Sequence, residues 1–282
     1  MFRRKLMHPM PAWRHVLVTG GAQGLGRAIA RQCVEVGMEV TLLDCDADTL
    51  TATVASLQAV GGCARGIVSD VGDDASVRRA FREIGESSIP PDALLCCAAV
   101  GDGRWKRTLA TEYLSHVLNI NLLGIARCVE HALPLLRASS TGTIVLIGSL
   151  LDARGYAGTA SYSVSKAALR SMADSIRVLL RPDGIRVVLV RPGFLRTAMA
   201  TGNSIAMPGM LSAEDAAARI LRGVARGREV LSFPWAMALL SSIGHMLPRR
   251  MYEAAVRKAM RLDGDGDLLK RGTKHTEARE HE

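Results

Sequence analysis

The chain has 282 residues, of which 48% are hydrophobic, and its formal net charge is +9. This length and apolar content support a sizeable core and exclude disorder for the bulk of the chain. The basic residues are scattered and only 4% of the residues are aromatic, so we expect no nucleic-acid partner. Neither the histidines nor the cysteines show metal-ligand spacing. We therefore expect no metal, no disulfide framework and a reducing, cytoplasmic location.

Short apolar segments alternate with helical segments along most of the chain. We predict strands at 15–19, 39–43, 64–69, 93–97, 143–147, 185–190 and 229–232. Helices are predicted at 27–36, 47–60, 73–84, 111–136, 160–180 and 213–225. This alternation predicts a doubly wound, Rossmann-like parallel sheet of about seven strands with helices on both faces. Ligands then bind at the carboxyl ends of the strands.

A glycine-rich segment joins the first predicted strand to the first helix. It reads Thr-Gly-Gly-Ala-Gln-Gly-Leu-Gly over residues 19–26. A strand that turns sharply into a helix presents backbone N–H groups and a positive helix end, which suit a pyrophosphate. An ordinary glycine turn is the alternative. We expect this segment to bind a dinucleotide through Gly20, Gln23, Gly24, Leu25 and Gly26.

The second predicted strand runs into Asp44, eighteen residues after Gly26. A carboxylate at this place can accept hydrogen bonds from both ribose hydroxyls of NAD and would repel the additional phosphate of NADP. The sequence therefore favours NAD, with NADP as the alternative. Asp44 could instead cap the following helix, although Asp46 is better placed for that role.

Three polar side chains are expected to meet near the middle of the chain. Tyr162 and Lys166 lie four residues apart at the start of a segment without glycine or proline, so both face the same side of a helix. An ammonium group beside a phenol favours the phenolate, which makes the tyrosine a usable acid or base near neutral pH. Ser149 follows the strand at 143–147 and brings a hydroxyl to the same place.

Together these features resemble the single-domain short-chain dehydrogenases/reductases, over roughly residues 15 to 232. The matching motifs are Thr-Gly-x-x-x-Gly-x-Gly at 19–26, Tyr-x-x-x-Lys at 162–166, and a serine thirteen residues before the tyrosine. The resemblance implies hydride transfer between a nicotinamide and a secondary alcohol or ketone. In that reaction Tyr162 is the acid or base, Lys166 lowers its pKa and binds the nicotinamide ribose, and Ser149 holds the substrate oxygen.

The resemblance also implies further site residues. Asn121 matches the family's catalytic asparagine, which breaks the hydrogen-bond ladder of its helix and supports a proton relay, and Asn119 is the second candidate. Cofactor contacts are implied for Asp70, Val71, Ala98, Pro192, Phe194 and Thr197. The chain departs from the family at residues 96–99, which read Cys-Cys-Ala-Ala instead of Asn-Asn-Ala-Gly. Relatives commonly form homodimers or homotetramers through helices that match 111–136 and 160–180.

The substrate is not identified by these motifs. Apolar side chains in the segment 198–211, where the family has its substrate-covering loop, favour an apolar or partly apolar small molecule. Two alternatives stay open. The first is an NADPH-dependent carbonyl reductase of a lipid, steroid-like or polyketide substrate. The second is a catalytically silent dinucleotide-binding scaffold, which the altered 96–99 segment would suit.

The two ends of the chain are expected to lie outside the catalytic domain at 15–232. Residues 1–14 form an exposed extension, 233–262 an apolar and basic helical extension, and 263–282 a disordered tail. The apolar part at 233–247 is too short to span a bilayer. It either packs on the domain or on a partner subunit, or makes peripheral membrane contact through 233–261 with its arginines near lipid phosphates.

Overall fold

The computed structural model describes residues 9–87, 89–101, 110–139, 141–155, 158–196 and 210–260. Its main sheet has seven strands, all parallel, in the order β3-β2-β1-β4-β5-β6-β9. These are β1 (His15–Thr19), β2 (Glu39–Asp44), β3 (Ala64–Val68), β4 (Ala93–Cys96), β5 (Thr143–Ile147), β6 (Arg186–Pro192) and β9 (Val230–Phe233). Two short strands, β7 (Leu195–Arg196) and β8 (Leu211–Ser212), pair separately.

Helices cover both faces of the sheet. They are α1 (Gly24–Glu35), α2 (Ala47–Gln58), α3 (Asp74–Gly85), α4 (Thr111–Leu118), α5 (Ile125–Arg137), α6 (Ala160–Leu180), α7 (Ala213–Ala225), α8 (Trp235–Met246) and α9 (Arg249–Met260). Side chains of α1, α2 and α7 share one buried cluster with the sheet, and those of α3, α5 and α6 share another. Successive β1 residues alternate between the clusters, as Val16 and Leu17 do, because side chains point to opposite faces along a strand.

The predicted doubly wound parallel sheet is confirmed. The strand order reverses between β1 and β4, which opens a crevice at the carboxyl ends of the strands. Helices α6 and α7 have the predicted bounds, whereas α1 starts three residues earlier than predicted, at Gly24. The start was missed because the glycines of the turn were expected to precede the helix, yet two of them form its first turn.

The predicted helix at 111–136 is not a single α-helix. A π-helical segment, Asn119–Gly124, separates α4 from α5. Within it, the buried Asn121 side chain hydrogen-bonds both the N–H and the C=O of Val100. Gly124 lies so close to Val71 that a Cβ would stand 2.9 Å from the Val71 carbonyl oxygen. Both contacts are made by residues of the π-helical segment with distant parts of the chain. The apolar pattern of the sequence does not predict them.

Helices α8 and α9 follow the last strand of the sheet and are separated from each other by Leu247 and Pro248. We call them the C-terminal helix pair. Within the described part of the chain, no helix combines the length and the apolarity that crossing a membrane requires. The expected tail at 263–282, residues 1–8 of the expected extension and most of the expected substrate loop lie outside the described residues.

Candidate active site

The glycine-rich turn lies directly against the end of β4. Gly20 has a φ of +63°, and a Cβ at this residue would lie 2.7 Å from both the Cα and the N of Ala98. The Ala98 N–H donates to the Thr19 Oγ1 at 3.3 Å, and the Cys97 N–H donates to the Thr19 carbonyl at 3.2 Å. The structure thus brings Gly20 and Ala98, which are far apart in sequence, to one side of the crevice.

The start of α1 has the features of an anion-binding helix end. The helix begins at Gly24, whose φ is +55°, and a Cβ on Gly26 would lie only 2.1 Å from the Gly20 carbonyl oxygen. Leu25 is buried beneath the turn. The first turn carries no carboxylate, and Gln23, at the N-cap position, contributes no capping hydrogen bond from its side chain. A glycine-rich turn at a positive helix end, with no carboxylate in its first turn, fits the pyrophosphate of a dinucleotide.

Asp44 stands beside this turn at the end of β2. Its half-buried carboxylate accepts hydrogen bonds from the Ala22 N–H at 3.0 Å and the Asp46 N–H at 3.2 Å. The capping role belongs to Asp46, whose carboxylate accepts from the Thr49 N–H at the start of α2. Asp44 therefore braces the glycine turn through its contact with Ala22.

The turn after β3 carries Asp70 and Val71 at the same edge of the sheet. Asp70 is exposed and its carboxylate accepts from the Gly72 N–H at 2.7 Å, while Val71 is buried. Asn119 supports this turn, because its Nδ2 donates to the Gly72 carbonyl and its Oδ1 accepts from Arg127. These contacts give Asn119 a structural role, which separates it from Asn121.

Lys166 is buried where α6 crosses the end of β5. Its side chain is 1% exposed, and its Nζ donates to the Ile147 carbonyl at 2.8 Å and lies 5.5 Å from the centroid of the Tyr162 ring. Ser149 follows two residues after Ile147 and is also buried. Its Oγ accepts from the Leu151 N–H at 3.1 Å, which begins a short 3-10 turn, Leu150–Asp152. The predicted serine, tyrosine and lysine are thus carried by two adjoining elements.

Burial lowers the pKa of Lys166 to about 8. Burial also raises the pKa of the Cys97 thiol to about 12, so this thiol is neutral at pH 7. The two cysteines that occupy the places of the family's asparagines therefore add neutral surroundings instead of charge. Lys166 sits in a dry environment where an ammonium group acts strongly on a nearby phenol.

Asn121 is connected to α6 through Ser165. The Asn121 Nδ2 donates to the Ser165 Oγ at 3.2 Å, and that hydroxyl donates to the Tyr162 carbonyl at 2.7 Å. The π-helical segment is therefore tied to the turn of α6 that carries Tyr162 and Lys166. Sequence reasoning did not single out Ser165. A serine that precedes a lysine in a helix carries no signal of its own.

The Pro-Gly turn after β6 carries the residues expected near the nicotinamide. Pro192 ends β6, the Gly193 N–H donates to the Phe233 carbonyl at 2.8 Å, and the Phe194 carbonyl accepts from the Leu211 N–H at 3.1 Å. Thr197, the remaining candidate in this segment, lies outside the described residues.

A buried ion pair that the sequence analysis missed joins two of these segments. The Asp152 side chain is fully buried and accepts from Arg191 at 2.7 Å (Nε) and 2.6 Å (Nη2). Asp152 follows Ser149 by three residues, and Arg191 directly precedes Pro192. The pair therefore holds the serine turn against the Pro-Gly turn. An arginine at the end of an apolar strand was the available signal, because a buried charge requires a partner.

Known proteins are similar in sequence to this chain over most of its length. A family model described as short chain dehydrogenase matches residues 14–207. The chain is 32% identical to an uncharacterized oxidoreductase of Myxococcus xanthus, and the match covers 88% of this chain and 98% of that protein. It is 33% identical to the cis-4-hydroxycyclohexanecarboxylate dehydrogenase of Sinomonas cyclohexanicum, over 82% of this chain and 90% of that enzyme.

Solved structures share the fold at lower sequence identity. A short chain dehydrogenase/reductase from Burkholderia phymatum in complex with NAD has a TM-score of 0.75 at 22% identity, covering 85% of this chain and 95% of that one. A short-chain dehydrogenase from Sphingobium yanoikuyae in complex with NADPH has a TM-score of 0.72 at 22% identity, covering 90% of this chain and 97% of that one.

Replacing Asp152 by alanine should lower the free energy of unfolding by about 3 kcal/mol, because it leaves the Arg191 guanidinium buried without its carboxylate. Urea denaturation near neutral pH measures this. The control is Asp183→Ala, which removes a more exposed pair with Arg137 and should cost less than about 1 kcal/mol. Equal losses in the two variants would contradict the role given to the buried pair.

Lys166 should make stability depend on pH in a defined direction. The lysine pKa is about 8 in the folded chain against an ordinary value of 10.5, so between these values the unfolded chain binds more protons. The free energy of unfolding should therefore rise with pH in this window. Relative to Lys166→Met, the unaltered protein should gain about 2 kcal/mol between about pH 7.5 and about pH 9.5. Parallel pH dependence in the two proteins, measured by urea denaturation, would refute the shift.

Proposed function

Since this chain belongs to the short-chain dehydrogenase/reductase family, we propose that it catalyses reversible hydride transfer between NAD and a secondary alcohol or ketone. Membership makes the protein an oxidoreductase that acts on CH–OH groups with a nicotinamide cofactor. NAD, the secondary alcohol and an apolar or partly apolar substrate are the proposed refinements. The observation that carries the proposal is the buried Lys166, with its Nζ 5.5 Å from the Tyr162 ring centroid and Ser149 on the adjoining turn.

The nicotinamide ring, when bound, supplies the acceptor or donor of hydride. In the oxidation direction the Tyr162 phenolate takes the proton of the substrate hydroxyl, and in reduction the phenol returns a proton to the carbonyl oxygen. Lys166 favours the phenolate by its charge, and Ser149 donates a hydrogen bond to the substrate oxygen. Asn121 keeps the Val100 backbone and Ser165 in place beside these groups, which supports the proton relay.

The crevice is proposed to hold the cofactor in one extended pose. The pyrophosphate lies on the turn formed by Gly20, Gln23, Gly24, Leu25 and Gly26. Asp44 faces the adenosine ribose, Asp70 and Val71 flank the adenine, and Ala98 lies along the chain of the cofactor. Pro192, Phe194 and Thr197 are assigned to the nicotinamide end.

The negative charge of Asp44 supports NAD over NADP, because the additional phosphate of NADP would lie next to a carboxylate. The similar solved structures include one complex with NAD and one with NADPH, so they do not distinguish the two cofactors. An NADPH-dependent reductase would be the conclusion if Asp44 had a counter-charge from a neighbouring arginine. The next residue in this chain is instead Cys45.

An apolar contact near the proposed nicotinamide end supports an apolar substrate. A Cβ on Gly193 would lie 3.0 Å from the Met237 sulfur, so the thioether of Met237 packs on the Pro-Gly turn.

Two exposed apolar residues support assembly into an oligomer. Leu123 and Val164 lie on the helical segments through which relatives commonly assemble, and about half of each side chain is exposed. A homodimer or homotetramer would cover them.

Replacing Tyr162 by phenylalanine should reduce turnover about 1000-fold, because it removes the acid and base of the reaction. A panel of secondary alcohols and ketones, followed by the absorbance of reduced nicotinamide, identifies a substrate and measures the loss. Binding of NADH, measured by its fluorescence, should change little. The control is Tyr252→Phe, which removes a phenol hydroxyl bonded to Gly155 and should retain most of the turnover. Full activity of Tyr162→Phe would refute the mechanism.

The unaltered enzyme should use NADH with a kcat/KM at least about tenfold higher than NADPH, since a phosphate next to a carboxylate costs more than about 1.4 kcal/mol. Asp44→Asn removes the charge and keeps an acceptor for the Ala22 N–H. It should therefore lower the ratio of the kcat/KM for NADH to the kcat/KM for NADPH. The matched control is Asp46→Asn, two residues away at the cap of α2, which should leave the ratio almost unchanged. A preference for NADPH in the unaltered enzyme would reverse the assignment of Asp44.

A further inference from the structure

We propose that the C-terminal helix pair is a membrane-binding surface, which lies on anionic lipid headgroups with the apolar side of α8 in the interface. The inference does not depend on the proposed reaction. Three properties of the pair support it: the side on which the apolar residues of α8 lie, the bonds that hold the opposite side to the domain, and the positive charge of α9.

Helix α8 presents its apolar side chains outward. Trp235, Leu239, Leu240, Ile243 and Met246 are between 48% and 83% exposed, and none of the twelve described residues of α8 is buried. On a helix wheel these five side chains share one side. The helix contains no lysine, arginine, aspartate or glutamate. A helix on the surface of a water-soluble domain normally shows the opposite arrangement.

The other side of the pair is fastened by polar contacts to residues 150–155. The Ser241 Oγ donates to the Leu150 carbonyl at 2.8 Å, and His245 hydrogen-bonds the Ala153 carbonyl through Nδ1 at 2.7 Å. The Tyr252 hydroxyl of α9 donates to the Gly155 carbonyl at 2.8 Å. These bonds fix the rotation of both helices, so the apolar side of α8 is held outward by the structure.

Arg154 adds a clamp between the two helices. Its guanidinium donates to the Gly244 and Leu247 carbonyls at 3.1 and 2.7 Å, and it stacks 4.1 Å from the centroid of the Tyr252 ring. A cation at the C-terminal end of α8 also interacts favourably with the helix dipole. Several independent contacts therefore determine how the C-terminal helix pair is oriented on the domain.

The charge of the neighbouring helix α9 matches an anionic lipid layer. Helix α9 carries Arg249, Arg250, Arg257 and Lys258, all exposed, against one carboxylate, Glu253, which pairs with Arg249 at 2.7 Å. Cations next to an exposed apolar helix with a tryptophan are the combination that binds headgroup phosphates and the acyl boundary together. Twelve residues of α8 are too short to cross a bilayer, so the helix lies along the interface.

A second copy of the chain fits this surface less well. In a two-fold contact the same patch faces itself, so the four cations of each copy would approach the four cations of the other with a single carboxylate on each side. Like charges that lose water on contact are unfavourable. Lipid phosphates instead supply the missing negative charge, and the acyl chains cover the apolar residues.

Flotation of the full-length protein with vesicles tests the proposal. Vesicles of phosphatidylcholine with phosphatidylglycerol should bind the protein, whereas phosphatidylcholine alone should bind it at least about fivefold more weakly. Added salt should reduce the binding, because it screens the cations. Absence of binding to the anionic vesicles at low salt would overturn the proposal.

Two matched pairs of variants locate the surface. Leu240→Gln on α8 should weaken vesicle binding about tenfold, whereas Leu179→Gln, an equally exposed leucine on α6, should leave it unchanged. Lys258→Glu on α9 should weaken binding by more than about fivefold, whereas Arg79→Glu, an exposed cation on α3, should have little effect. Equal effects within either pair would overturn the assignment.

The same variants distinguish a protein partner from a membrane. If Leu240→Gln lowers the oligomer mass in light scattering while vesicle binding is absent, the apolar side is a contact between copies and the proposal is wrong. Trp235 gives a separate readout, because its emission should shift to shorter wavelength on anionic vesicles. Trp235→Phe should abolish that shift if the indole enters the interface, and a shift that persists unchanged would contradict the placement.

Discussion

The proposed active site depends on one ammonium group that is shielded from water, that of Lys166. Lys166 has almost no contact with water, and the bond from its Nζ to the Ile147 carbonyl is its one described hydrogen bond. An ammonium group in such a place is costly, which is why burial lowers its pKa to about 8. The same dryness strengthens its influence on the Tyr162 ring. Burying Lys166 therefore lowers the stability of the fold at neutral pH, while it strengthens the effect proposed for this lysine on Tyr162. The surrounding structure has to hold Lys166 in place.

The elements around Lys166 are joined by side chains that bond to backbone or to each other across long sequence distances. Asn121 holds Val100 and Ser165, and Arg191 holds Asp152. These contacts join the π-helical segment to the loop after β4 and to α6, and the end of β6 to the 3-10 turn after Ser149. In a parallel sheet the loops that follow the strands lie together at the carboxyl ends of the strands. These loops do not form hydrogen-bonded ladders with each other as strands do. Buried polar side chains supply the missing connections between these segments.

The fold and the nearness of Lys166 to the Tyr162 ring could be predicted because they depend on local patterns. Alternating apolar and helical segments predict the parallel sheet, and the spacing of Ser149, Tyr162 and Lys166 predicts their meeting. The π-helical segment at Asn119–Gly124 and the Asp152–Arg191 pair could not be predicted in the same way. Each depends on a partner many residues away, Val100 for Asn121 and Asp152 for Arg191, and no spacing rule connects such partners. The sequence also did not predict that the apolar side of α8 is exposed, because the pattern of an apolar helix is the same whether that side packs on the domain or faces outward.

The places where local rules fail are concentrated at one edge of the molecule. A lysine is buried, a helix widens into a π turn, and a surface helix points its apolar residues outward, all close to the carboxyl ends of the strands. A natural sequence is usually consistent across propensity, patterning and polarity, so departures indicate sites where function competes with stability. The C-terminal helix pair is bonded to residues 150–155, directly after Ser149, and Met237 packs on the Gly193 turn. The apolar surface of α8 and the candidate catalytic residues are therefore attached to the same short segments, so a change in the position of the helix pair would be transmitted directly to the turn that follows Ser149.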